Sequence, residues 1–175
     1  EIFKNHSIVD AIKHPDIYGN RPPLIYILNK LFNPFFYDLE KYRICVFILS
    51  LLGPIFLFLG LKIKFKDIKN EYLALLSVII LLSPYYRTSA FWALNENYGI
   101  VTAILSLFFL NLSLSYSKVD ETKNRLYYFF TIIFSSLSVY FDQKLIIIPL
   151  ICLFTFLFRL KKIKTMILIC CGYGI

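Results

Sequence analysis

Residues able to do chemistry gather in three polar stretches between long apolar runs. The first holds His14, Asp16, Asn20 and Arg21, just ahead of Pro22 and Pro23. The second runs through residues 83–98 and holds Arg87, Trp92, Asn95 and Glu96. The third is Asp142, Gln143 and Lys144. Carboxylates at Glu1, Asp16, Glu96 and Asp142 are of the type that deprotonates an acceptor hydroxyl within hydrogen-bond reach. The competing reading of each is a solvated loop charge. Arg21, Arg87 and Lys144 are cations beside apolar segments, suited to neutralising a phosphate, which an arginine grips bidentately. Snorkelling toward lipid headgroups is the other account of Arg87 and Lys144. His14 and Asn95 offer hydrogen bonds and Trp92 a stacking face to a sugar. Asn95 could equally cap a helix starting near Tyr98, and Trp92 could belong to an interfacial aromatic belt.

Metal and redox chemistry have less support. His6 and His14 are ligand types with nonspecific spacing, so no cofactor is expected, with a divalent metal as the alternative. Cys45, Cys152, Cys170 and Cys171 all lie in apolar runs without a CxxC pair, which reads as small buried hydrophobes. Of two glycosylation sequons, Asn5-His6-Ser7 and Asn111-Leu112-Ser113, the second lies inside an apolar run.

The elements that must position these groups are membrane helices. Of 175 residues, 58% are hydrophobic, the mean hydropathy is +0.67, and Phe (18) and Tyr (13) are abundant. A soluble domain usually carries about 45–50% apolar residues. Apolar runs at residues 42–61, 72–86, 98–116, 126–141 and 145–160 read as five spans, with a sixth begun at 166–175. Residues 23–32, opened by the Pro-Pro pair, form a helix of about 15 Å, half the depth of a hydrocarbon core, and are expected to be interfacial or re-entrant. Residues 35–43 are expected to form a second interfacial stretch, and part of residues 1–21 an amphipathic helix on the membrane. The chain is expected to be a fragment of a longer protein.

The net charge of +8 does not point to nucleic acid, because the basic residues cluster in short loops rather than in a continuous stripe. Lys62, Lys64, Lys66, Lys69, Lys118, Lys123, Arg125, Arg159, Lys161, Lys162 and Lys164 fall in alternate loops, against Arg87 and Lys144 in the others. The positive-inside rule puts the lysine-rich loops in the cytoplasm. The three polar stretches then share the outer face.

Two stretches carry a family likeness. Asn20-Arg21-Pro22-Pro23-Leu24-Ile25-Tyr26, followed by Leu39-Glu40-Lys41-Tyr42-Arg43 opening a long span, resembles GT-C-type membrane glycosyltransferases of the protein O-mannosyltransferase and aminoarabinose transferase kind. The likeness covers about residues 1–150 and is strongest over 20–60. It implies an all-α, polytopic transmembrane bundle with interfacial helices in the first outer loop. It also implies extracytoplasmic, inverting transfer of a sugar from a polyprenyl phosphate to a lipid, glycan or protein acceptor. Arg21 matches the family's basic residue before Pro-Pro, which contacts the carrier phosphate; Arg87 and Lys144 are weaker matches to that role. Glu1 would fit the second residue of the family's acidic pair, whose Asp would precede this chain. The Ile-, Lys-, Asn- and Phe-heavy usage hints at an AT-rich bacterial genome, and so at a bacterial plasma membrane. A transporter or lipid flippase, which would want charges within spans and helices broken at mid-membrane, is the rival class.

Overall fold

The computed structural model describes residues 2–14, 23–116 and 121–159. The described residues are helical, with no strand among them. Two short helices, α1 (Ile2–Asn5) and α2 (Ile8–Lys13), precede α3 (Leu24–Phe32). Then come α4 (Leu39–Ser50) and α5 (Leu52–Lys64), α6 (Asn70–Val78), α7 (Pro84–Phe91), α8 (Asn95–Tyr116), α9 (Glu121–Phe141) and α10 (Ile147–Arg159).

Among the described residues, length and composition leave two helices able to cross a membrane, Leu39–Lys64 and Asn95–Tyr116. A third is counted if Asn70–Leu82 and Pro84–Phe91 form one span, bent by 65°. Ser83 sits in the bend with an extended backbone and caps α7, which begins on Pro84. A proline biases its predecessor away from helix and opens the next one, so Ser83-Pro84 accounts for this break.

Several boundaries differ from the sequence expectation, the first being the expected span at 72–86, which runs through the break at Ser83. Residues 35–43 are not a separate interfacial stretch: Asp38 caps α4, accepting from the Glu40 and Lys41 amides, and the helix runs into the span from Leu39. The run at 126–141 is part of a longer helix, α9, that fails as a candidate span despite its length. It carries Asn124, Thr131, Ser135 and Ser138 on its buried side. The run at 145–160 begins two residues earlier, in a 3-10 turn at Gln143, and its apolar helix runs through Phe158 among the described residues. The run at 166–175, with Cys170 and Cys171, lies outside the described residues.

The buried polar side chains are mostly small. Ser50, Ser77, Ser89, Ser106, Ser113 and Ser138 each donate to a carbonyl of their own helix. The exposed surface meanwhile carries Ile44, Phe47, Ile48, Ile55, Leu75, Leu76 and Phe154. Small residues inside and large apolar ones outside let helices approach closely where lipid, not water, is the solvent. Helices α8 and α9 form the central antiparallel pair, with α5 alongside α8. Gly60 meets the Phe108 backbone and Asn111, whose amide donates to the Gly60 carbonyl at 3.2 Å.

One long-range hydrogen bond answers a need that the sequence creates. The α4–α5 pair carries Pro54, which has no N–H to give the carbonyl four residues back, that of Ser50. The Tyr86 hydroxyl, 2% exposed, fills that place by donating to the Ser50 carbonyl. In a hydrocarbon environment each freed backbone group needs such a partner.

Candidate functional site

The ends of α7 and α9 and the starts of α4 and α8 meet at one end of the bundle, here the Trp92 end. The opposite end carries Lys62 and Lys64. The Trp92 end is sealed by a cluster of Ile25, Val46, Tyr98 and Phe141, with Leu24, Tyr26, Tyr42, Ala93 and Leu137 packed against it. Thus α3 lies across the starts of α4 and α8. Asn29 on α3 donates to Tyr98 at 3.4 Å, Asn33 donates to Asn29 at 3.1 Å, and Tyr98 shares a hydrogen bond with Tyr42.

Asp142, 7% exposed, follows α9 and opens the third polar stretch. It accepts from the Tyr85 hydroxyl at 2.6 Å and from the Lys144 backbone amide at 3.1 Å. The Lys144 ammonium lies 5.3 Å from the centre of the Tyr85 ring. A local ion pair with Lys144 is therefore not what holds Asp142: a buried carboxylate takes the shorter hydroxyl and amide bonds and leaves the ammonium to the ring face and solvent. Glu96 lies within electrostatic reach of the Tyr85 hydroxyl. Gly99 makes this junction possible. A Cβ there would stand 3.0 Å from the Asp142 Cβ and 3.3 Å from the Ser138 carbonyl.

Arg87 is exposed on α7, as is Lys144 beyond α9. Trp92 is 51% exposed, with the Arg43 guanidinium 4.8 Å from its ring centre and Phe91 edge-on at 5.2 Å. Asn95 is the first residue of α8, so it does not precede a helix starting near Tyr98; the helix begins one turn earlier. Its start follows Ala93, held at φ 52°, the left-handed region that non-glycine residues seldom adopt. His14 ends α2, and its ring lies 5.5 Å from that of His6. Glu1, Asp16 and Arg21 lie outside the described residues. Among the described residues no three His, Cys, Asp or Glu side chains are grouped to hold a metal ion. Cys45 and Cys152 are free thiols.

Two polar residues stand out for buried atoms without a partner: Asn97, which the Asn95-Glu96-Asn97 run offers as a binder of sugar hydroxyls, and Arg43, which its type alone does not mark. Asn97 is fully buried, and neither end of its amide has a partner. Arg43 has a buried Nε without a partner. The signal for Arg43 is its place at the opening of the long span; for Asn97 it is an amide in the polar first turn of α8. No family model, curated protein or solved structure matches this chain.

Proposed function

We propose that the chain is part of a multi-span membrane glycosyltransferase of GT-C type. It moves a sugar from a polyprenyl-phosphate donor to a lipid, glycan or protein acceptor on the outer face of a bacterial plasma membrane. The observation that carries this reading is the grouping around Asp142. A buried carboxylate, a tyrosine hydroxyl, Glu96 and the Lys144 cation from separate polar stretches stand at the end of the bundle away from the lysine-rich turns.

In this reading Glu96, with Asp16 of the first stretch and Glu1 ahead of it, supplies the carboxylate that takes the acceptor's proton. Arg21, Arg87 and Lys144 neutralise the departing phosphate, and His14, Asn95 and Trp92 bind the sugar. Asp142, held by Tyr85, fixes the turn that presents Lys144. The test is transfer of labelled sugar from polyprenyl-phosphate donors by the protein in proteoliposomes. Arg21→Ala is expected to abolish transfer while the protein stays folded; unchanged turnover would sink the reading.

The transporter or flippase reading draws on the 65° break at Ser83. A helix broken there is the kind of element that moves in alternating access. Passage of a lipid-linked sugar across liposomes without formation of a glycosylated product would favour it.

A further inference from the structure

A buried seam joins α4–α5 to α8. On one side Arg43, Val46, Ser50 and Gly53 fall three or four residues apart, so they share a helix face. Val46 and Ser50 are each 1% exposed. On the other side Asn97, Val101 and Ile104 share a face of α8 by the same spacing, and all three are buried. The faces meet at Gly53, where an added Cβ would lie 3.4 Å from the Ile104 Cδ1. Counting from that contact at about 1.5 Å per residue, Asn97 lies about 10 Å and Arg43 about 15 Å toward the Trp92 end. Val46 packs in one cluster with Tyr98, which holds the two helices together at that level. Arg43 and Asn97 therefore terminate the same seam, with Trp92 over the guanidinium.

Both residues carry unmet hydrogen-bonding capacity. The Arg43 Nε and both atoms of the Asn97 amide are buried and without a partner, and among the described residues no carboxylate pairs with Arg43. A buried group left this way costs about 1–3 kcal/mol, and more when charged. A ligand that met all of them would need an anion for the guanidinium, an acceptor for the Asn97 N–H and a donor for its oxygen. A phosphate ester supplies all three: oxygens for Arg43 and the amide N–H, and a hydroxyl, on phosphorus or on the group esterified to it, for the amide oxygen. A carboxylate or sulfate alone lacks the donor.

We propose that the Arg43–Asn97 seam is a binding site for the phosphate end of a phosphate ester. The lipid-borne source of that phosphate rests on the transferase reading above; the site itself does not.

Trp92 is the chain's one tryptophan and lies against Arg43, so its emission reports binding. The full chain in nanodiscs is titrated with a polyprenyl phosphate, the matching polyprenol and inorganic phosphate. A saturable change with polyprenyl phosphate and none with polyprenol is expected. Response to inorganic phosphate but not to the lipid keeps the site and assigns it a free phosphate. No response to either phosphate overturns the proposal in the unmutated protein. Asn97→Leu is expected to weaken binding by about tenfold, the loss of a hydrogen bond to a charged group, while the melting temperature holds or rises because an unpaired amide is removed. Wild-type affinity in a folded Asn97→Leu protein overturns it. Retained binding with no sugar transfer would remove the transferase reading alone.

Discussion

The Tyr85 hydroxyl donates a 2.6 Å hydrogen bond to the carboxylate of Asp142, 57 residues further along the chain. It ties the start of α7 to the turn after α9. Tyr85→Phe keeps the ring under Lys144 but leaves one carboxylate oxygen short of a donor. The expected loss is about 1–3 kcal/mol in a detergent-unfolding assay. In a double-mutant cycle with Asp142→Asn, a coupling energy near zero would show that this bond contributes nothing.

The Tyr86–Ser50 bond makes a prediction in both directions. Tyr86→Phe should destabilise the protein, because the Ser50 carbonyl then has neither the tyrosine nor an amide from position 54. Pro54→Ala should restore most of that loss by supplying the missing N–H. Melting temperatures of the two single variants and the double variant decide it, and an additive double variant would refute the link.

Gly53 sits against the same tyrosine: a Cβ at Gly53 would collide with the Tyr86 hydroxyl. Gly53→Ala is therefore expected to cost about 1–3 kcal/mol by overpacking. Adding Tyr86→Phe deletes the colliding atom, so the pair should be less damaged than the sum of the two changes. Thermal unfolding of the set measures this.

Asp38 caps α4 and pairs with Lys41 at 3.1 Å. The hydrogen bond to Lys41, foremost, holds its carboxyl below the ordinary value of 3.8. A lowered native value means that the bond stabilises the fold above the unfolded value and is lost as the pH falls through the native one. Asp38→Asn should therefore unfold more readily than the parent at pH 7, with the gap closing as the pH drops below about 4. The group is fully exposed, so the gap is small. A gap that widens on acidification would contradict this.

Sidedness is open to direct measurement. Cysteines introduced at Glu96 and Lys144, in a background with Cys45 and the other native cysteines replaced, should react with an impermeant maleimide from the outside of intact cells. Cysteines at Lys64 and Lys69 should react only after permeabilisation. Labelling of Glu96 and Lys144 from opposite sides would dismantle the candidate site.

Much of the fold was readable because its causes are local. The apolar run from residue 42 to 61 and the run from 98 to 116 mark the two long helices, since a helix needs only its own residues to satisfy its backbone. The start of α4 was misplaced by a few residues because Asp38 followed by Leu39 is a capping signal weaker to the eye than the apolar block behind it. The run from 126 to 141 reads as a span on its apolar residues; the full helix α9 adds Asn124 and Arg125 to it and is not apolar enough by composition, and packing separately shows that Thr131, Ser135 and Ser138 share its buried side.

By itself the sequence determined the helical class, the lengths of the apolar runs and the spacing of the lysine-rich loops. These follow from backbone chemistry and short-range spacing. The break at Ser83 inside the run 72–86 emerged only in the fold. Tertiary structure alone decided that Tyr85 reaches Asp142, that Tyr86 replaces the amide missing at Pro54, and that Arg43 and Asn97 end one seam with unmet hydrogen bonds. Those pairings join residues dozens of positions apart. Which helix faces meet depends on how Gly53, Gly60 and Gly99 let the backbones approach, and that is a property of the packed bundle rather than of any one segment.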